Sequence, residues 1–341
     1  MGKKKDKKAA VQETEPLSGK TPGDKFLDAE IEKGKEKKKK AESNKALIAV
    51  ILILFLVMGV CTYKITGKLL DYKYSSDVYD KYAETFASVK TEETVEDSQK
   101  QEEKSNKYDW GMPEDTDVVY DAIEDDGKFP VEVNFDELMA ENTDVVGWLY
   151  LEGTKINYPV VKGVDNDYYL HRLINGHYSY GGTLFLDASC RRDWSSRNNI
   201  IYGHNMNDGS MFRPLIAYKK QEYVDEHPYL YLATPKGNYR LDIFAGIITE
   251  SEAEVFSTVF PSNESFNTWY KKMMEKSVIK TGIEPNENSR IVSMSTCTYE
   301  KPDMRFVVMA VMRPIVPAET PAEVVMPAET TEIQKTEETG N

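Results

Sequence analysis

Three cysteines and four histidines are few for a chain of 341 residues, and each shortage excludes something. Three cysteines cannot knit a disulfide scaffold. Cys61 stands in an apolar run, so only Cys190 and Cys297 would share a folded domain. The histidines show no ligand-like spacing with cysteine or with one another, so nothing supports a metal centre. Positive charge is also in deficit: 43 Lys and Arg against 57 Asp and Glu leave a formal net charge of -14. A nucleic-acid binder would normally carry a basic face, and that class is set aside. The composition, 40% hydrophobic and 29% charged, is otherwise ordinary for a globular protein with polar tails.

The basic residues that do occur crowd the first 45 positions, notably Lys37 to Lys40. Residues 1–45 have little apolar content and are expected to form a disordered basic cytoplasmic tail. The Met1-Gly2 start suggests myristoylation, but Asp6 stands where Ser or Thr is required. Residues 46–63 then read ALIAVILILFLVMGVCTY without a charge. A helix of about 18 residues nearly matches a hydrocarbon core of about 30 Å, so this run can just span a membrane. A cleaved signal peptide is the weaker reading: the run is long, lies far from the start and precedes no A-x-A-like site. The lysines ahead of it predict a cytoplasmic N-terminus and an extracellular remainder.

Residues 64–129 read as an extracellular stalk, partly helical. Within it, 71–88 carries Tyr and Val at loosely helical spacing, and 91–106 is nearly all Glu, Lys, Gln and Ser, a solvated linker. One folded domain is expected over 130–314, followed by a disordered tail over 315–341 that is rich in Pro, Glu and Thr and repeats PAET. Inside the domain, Asn134 is placed to cap a short helix over 135–141. Eight short runs rich in Val, Ile, Tyr and Phe follow, at 146–151, 155–161, 183–187, 199–203, 229–233, 239–249, 290–297 and 305–313. So many short strands in under 200 residues predict a barrel or sandwich. Helices interrupt the series at 167–173 and 211–218, and a long amphipathic one is expected over 265–281 with Gly282 as its stop.

A thiol attacks only as thiolate, so a reactive cysteine needs a base or a cation beside it, and a developing oxyanion needs a donor. Cys297 ends the run RIVSMSTC, His204 follows the run NNIIYG, and Arg305 opens the run RFVVMAV. All three stand where a strand meets a loop, a place that holds a side chain rigidly yet leaves it exposed. Position alone leaves other readings open. A histidine after glycine is more often a turn residue, and an arginine opening a strand more often blunts an edge. His171, His177 and His227 lie in polar, turn-rich contexts and carry no assigned role.

At these residues the chain closely resembles the sortases, in their class B branch. The resemblance rests on IIYGHNMNDGSMF around His204, on SMSTC ending at Cys297, and on RFVVMAV beginning at Arg305. The early stretch VGWLYLEGTKINYPVVKGVDNDYYL and the place of the 265–281 helix add to it, so that it covers roughly 130–314. SMSTC departs from the family's T-L-x-T-C in having Ser293 and Met294, a change that touches strand packing more than chemistry. The resemblance implies a mainly β domain with added helices: an eight-stranded sortase-type β-barrel preceded by a single transmembrane helix. It further implies a cysteine transpeptidase without a cofactor. Cys297 would be the nucleophile, His204 its acid–base partner and Arg305 the oxyanion's cation, with Ser295 and Thr296 lining the substrate groove. The implied partners are surface proteins with a C-terminal sorting signal, cleaved after Thr, and an amine from peptidoglycan or a pilin lysine.

Two other readings compete with this one. A surface cysteine endopeptidase would share the Cys–His pair, although papain-like enzymes place the cysteine first and use an asparagine third. A non-catalytic extracellular β-barrel binding module would need none of the three.

Overall fold

Residues 22–90, 122–124, 129–298 and 303–316 are described by a computed structural model of the protein. The chain divides into two compact units, Met1–Lys68 and Leu69–Asn341.

The first unit is carried by α1 (Pro22–Phe86), a helix that continues into the second. It includes the apolar run at 46–63, and by length and composition it can cross a membrane. Residues 22–45, expected to be disordered, are helical instead. Low apolar content rules out a packed core, but Glu, Lys and Ala are strong helix formers and extend a helix that the apolar run already favours. The rest of the expected tail, residues 1–21, lies outside the described residues.

The second unit begins earlier than the expected 130. Its portion of α1 buries Ser75 and Tyr79. After it, β1 (Ala87–Val89) pairs antiparallel with β3 (Val131–Val133). The linker expected over 91–106 lies outside the described residues, as do 317–341 of the expected tail. β2 (Ile123–Glu124) lies parallel to the last strand at Ile315 and Val316, so the ordered domain also runs past 314.

All eight expected strands form. They are β4 (Val145–Tyr150), β5 (Asn157–Val161), β6 (Leu184–Leu186), β7 (Asn198–Tyr202), β8 (Tyr229–Thr234), β9 (Gly237–Glu250), β10 (Ile291–Cys297) and β11 (Met304–Val316). Hydrogen bonding runs β4-β5-β6-β7-β10-β11-β9-β8 and returns to β4, which closes an eight-stranded barrel. Closure removes the exposed edges that an open sheet would present.

Two apolar clusters fill the two faces of the wall. One gathers Trp148, Phe212, Leu215, Tyr218, Met294 and Phe306. The other lies outside β9, β10 and β11, where Phe266, Trp269 and Met273 cover Ile247, Val307 and Met309. Three of those residues come from α4 (Asn263–Lys276), which Ser262 and Ser265 open with a reciprocal capping box. The helix stops short of the expected 281 because the chain is drawn against β9: Val278 N–H donates to Gly246 O at 2.8 Å. α2 (Phe135–Glu141) forms as expected on the Asn134 cap. The segments expected as helices at 167–173 and 211–218 are 3-10 turns at Tyr169–His171 and Arg213–Lys219, and α3 (Gln221–Glu226) was not anticipated.

Candidate active site

Three neighbouring strands bring the selected residues to one rim. β10 and β11 are antiparallel, and their register sets Cys297 directly opposite Arg305. β7 lies on the other side of β10, parallel to it, with Tyr202 beside Ser295. In a parallel pair the chains advance together, so His204, two residues past Tyr202, draws level with Cys297. Two bonds hold that alignment beyond the strands. Gly203 N–H donates to Ser295 O at 3.1 Å, and Asn205 Nδ2 donates to Cys297 O at 2.9 Å. Arg213 in turn donates to Asn205 Oδ1 at 3.2 Å.

Gly203 is the residue that lets the histidine loop leave the strand this closely. A Cβ there would fall 2.5 Å from Leu184 Cδ2 and 2.6 Å from Phe212 Cδ2, both in the core. Any side chain at 203 would therefore push His204 off the rim.

Strand alternation decides which neighbours share the thiol's face. Cys297, Ser295 and Ser293 point one way, with Arg305 and Val307 facing them from β11. Thr296 and Met294 point to the other face, where Met294 is packed in the first core cluster. Ser295 and Thr296 are each only 2% exposed, and neither hydroxyl has a partner among the described residues. Of the two, only Ser295 lies on the side of Cys297. The departures from the family motif are absorbed in packing: Met294 is fully buried, and Ser293 Oγ donates to Asn198 Oδ1 at 2.7 Å.

The imidazole of His204 is held by two further groups. Its Nε2 lies 2.8 Å from Leu170 O. A carbonyl can only accept, so in the neutral ring Nε2 bears the hydrogen and Nδ1 is left to exchange a proton. The ring also stacks on His171, with centroids 5.5 Å apart and planes 20° from parallel. Burial pushes the His204 proton affinity below the ordinary range. The Leu170 carbonyl opposes that shift, and the nearby His171 and Arg305 add to it. The ring is therefore mainly neutral near pH 7. An NMR titration should find His204 half-protonated below about 6.5, the ordinary histidine value. Replacing His171 by Gln should move that midpoint upward, because one like charge is removed.

Cys297 and Cys190 occupy opposite environments. Both are free thiols, Cys297 half-buried and Cys190 buried. Burial pushes the Cys190 thiol up to about 11, and its sulfur is occupied by Asn198 O and by Ile200 N–H, each at 3.4 Å. Cys190 is thus a structural thiol. On the thiol's face of the wall, Tyr202 donates to Asp187 at 3.0 Å. Burial, followed by the charge of Asp187, raises its phenol's pKa, and Arg305 opposes the shift. Among the described residues no three His, Cys, Asp or Glu side chains gather as metal ligands.

Sequence reasoning passed over Asn205, Leu170 and His171. Asn205 had a signal, being a polar residue next to the histidine in GHNM. Leu170 acts through its backbone carbonyl, which no side-chain pattern reveals. His171 lies in a turn-rich context that gives no signal, and its stacking depends on a fold that joins positions 33 apart in the chain.

This geometry puts a half-buried thiol, an imidazole whose Nε2 is held by Leu170 and a guanidinium at one rim, a set suited to acyl transfer through a thioester. A family model described as Sortase domain matches residues 149–313. The chain is 33% identical over 198 residues to Sortase B of Listeria monocytogenes, covering 58% of this chain and 80% of that protein. It is 31% identical over 182 residues to Sortase B of Staphylococcus aureus, covering 53% and 75%. Among solved structures, the S. aureus sortase B–substrate complex superposes with a TM-score of 0.51 at 30% identity, over 53% of this chain and 85% of that one. B. anthracis sortase B in complex with AAEK1 gives a TM-score of 0.56 at 27% identity, over 72% and 99%.

Proposed function

Because the chain belongs to the class B sortases and is a cysteine transpeptidase, we propose that it cleaves a C-terminal sorting signal after threonine and joins the new end to a peptidoglycan amine. Cys297 supplies the nucleophile, His204 the proton donor and acceptor, and Arg305 the charge that steadies the carbonyl oxygen. The observation that carries this reading is the register placing Cys297 opposite Arg305, with Asn205 tying the His204 loop to the Cys297 carbonyl.

In the first half-reaction His204 Nδ1 takes the Cys297 thiol proton, the thiolate attacks the carbonyl carbon after threonine, and the oxygen takes negative charge beside Arg305. His204 gives its proton to the leaving amine as the C–N bond breaks, which leaves a thioester. In the second half, an incoming amine attacks that thioester, His204 takes the amine's proton, and the C–S bond breaks to release the thiolate. No oxidant or reductant is required. The same histidine serves both halves because each step retraces the other with a different amine. Ser295, on the thiol's face, is a candidate contact for the bound signal. Thr296 is kept as a second candidate, although its side chain faces the core.

The apolar run at 46–63 would anchor the enzyme, with the lysine-rich segment inside the cell and the barrel outside. The barrel would then meet its substrates where sorting signals and wall amines are both present.

Product analysis tests the reaction. A threonine-containing sorting peptide incubated with an amine should give the new amide by mass spectrometry; a product that is only the free acid would mark an endopeptidase. Arg305→Ala should lower kcat/KM by about 10²–10³-fold, the usual cost of one oxyanion donor. Arg305→Lys should recover little of it, because an ammonium lacks the planar fork. Unchanged kinetics in Arg305→Ala would take Arg305 out of the mechanism.

A further inference from the structure

A row of aromatic rings leads away from His204 to the protein surface. His171 stacks on His204, Tyr178 lies 6.0 Å from His171 between ring centroids, and Tyr180 lies 5.8 Å from Tyr178. The two tyrosines are 58% and 47% exposed. Large aromatic side chains this exposed, side by side and next to a reactive centre, are the usual mark of a binding surface.

The loop that carries them is rigidly held. Arg172 and Tyr178 pair as an isolated antiparallel bridge. Beneath the tyrosines, Asp71 of α1 accepts from Ser179 Oγ at 3.1 Å and from Tyr180 N–H at 3.0 Å. Tyr79, also of α1, donates to Gly182 O at 2.7 Å. Gly182 has φ +56°, and a Cβ on it would collide with the Leu170 carbonyl that accepts from His204. The backbone that orients the imidazole and the backbone that presents the tyrosines are therefore packed on each other. Rings exposed on a backbone fixed in this way lose little entropy when something binds them.

The chemistry says which substrate comes from this side. The general acid that protonates the leaving amine must, by microscopic reversibility, take the proton of the incoming amine. The acceptor therefore approaches over His204, and the surface beside His204 is this aromatic row. From 177 to 182 the loop reads HYSYGG, without an acidic or a permanently charged side chain. The Asp71 carboxylate under the loop is taken up by Ser179 Oγ and Tyr180 N–H, so the strip offers little to the charged face of a protein. It suits the flat, uncharged faces of sugar rings, which lie on aromatic rings, while tyrosine hydroxyls hydrogen-bond sugar hydroxyls.

We propose that Tyr178 and Tyr180 form the acceptor-binding surface, on which the sugar rings of a muropeptide lie while its stem-peptide amine reaches the thioester at Cys297. This rests on the transpeptidase reading above and adds the place where the acceptor docks and the sugar rings as the part held there.

The test compares four acceptors on the whole protein: a muropeptide with a free stem amine, the same stem peptide without sugars, a lysine-bearing protein, and hydroxylamine. With Tyr178→Ala or Tyr180→Ala, kcat/KM for transfer to the muropeptide should fall about tenfold, mostly through KM. Cleavage of the donor peptide and transfer to hydroxylamine should hold within about twofold of the unaltered enzyme. Equal loss with the sugar-free peptide, no loss with the muropeptide, or loss confined to a lysine-bearing protein acceptor would each overturn the assignment. Muropeptide binding to the Cys297→Ala protein, followed by NMR, decides the surface independently of turnover. It should disappear when Tyr180 is also replaced by Ala, and its persistence would sink the proposal. Failure of the unaltered enzyme to transfer to any amine would instead count against transpeptidation.

Discussion

Replacing Cys297 by alanine should abolish signal cleavage, a loss of at least about 10⁴-fold, because no other group can form the covalent intermediate. Intact-mass spectra of the unaltered enzyme with a sorting peptide should show a thioacyl adduct, and those of Cys297→Ala should show none. Cys190 cannot stand in for it. Its thiol, in the turn between β6 and β7, is buried, pushed up to about 11 by that burial and hydrogen-bonded to the backbone of β7. Cys190→Ala should accordingly keep its activity at whatever stability it retains. The catalytic loss should not come from unfolding. Cys297 ends β10 and is half-buried, so the substitution should shift the melting temperature by less than about 2 °C. Turnover surviving in Cys297→Ala would return the barrel to the class of binding modules.

His204→Ala should lower kcat/KM by about 10²–10⁴-fold, the range for a lost general acid–base. Both half-reactions should suffer, since one histidine protonates the first amine and deprotonates the second. The defect should be smaller for donors whose leaving group needs no proton. An activated thioester donor would then acylate Cys297 at a rate closer to that of the unaltered enzyme. His204→Asn, which keeps a polar side chain but cannot carry the proton, should be no better than alanine. Equal losses with amide and activated donors would make His204 a structural residue of the rim.

Much of this was legible in the chain. The eight strands announced themselves through β-branched and aromatic runs closed by turn residues, and each formed. The Asn134 cap was readable because a capping side chain acts on a backbone amide three residues away. Other elements were misjudged for equally physical reasons. Residues 22–45 carry too little apolar surface to pack, yet they are good helix formers, and helicity needs no core. The end of α4 was placed too late because Ser277 to Ile279 leave the helix to bond β9, a partner remote in sequence. From Asp71 onward the sequence of α1 reads as a stalk, but the structure packs it against the domain. Its Asp71 and Tyr79 contacts lie 108 and 103 residues away along the chain.

The sequence by itself determined which residues could do chemistry and in what local setting: a thiol and a guanidinium at strand ends, and an imidazole after a glycine that tolerates no side chain. It also determined the apolar run able to cross a membrane, since charge and hydropathy are properties of neighbours. Only the tertiary structure decided that these groups act together. The Cys297 carbonyl meets Asn205 across 92 positions, and Leu170 meets His204 across 34. Such contacts arise when a sheet closes and its register is fixed, because hydrogen bonds between strands align residues by place in the barrel and not by distance along the chain.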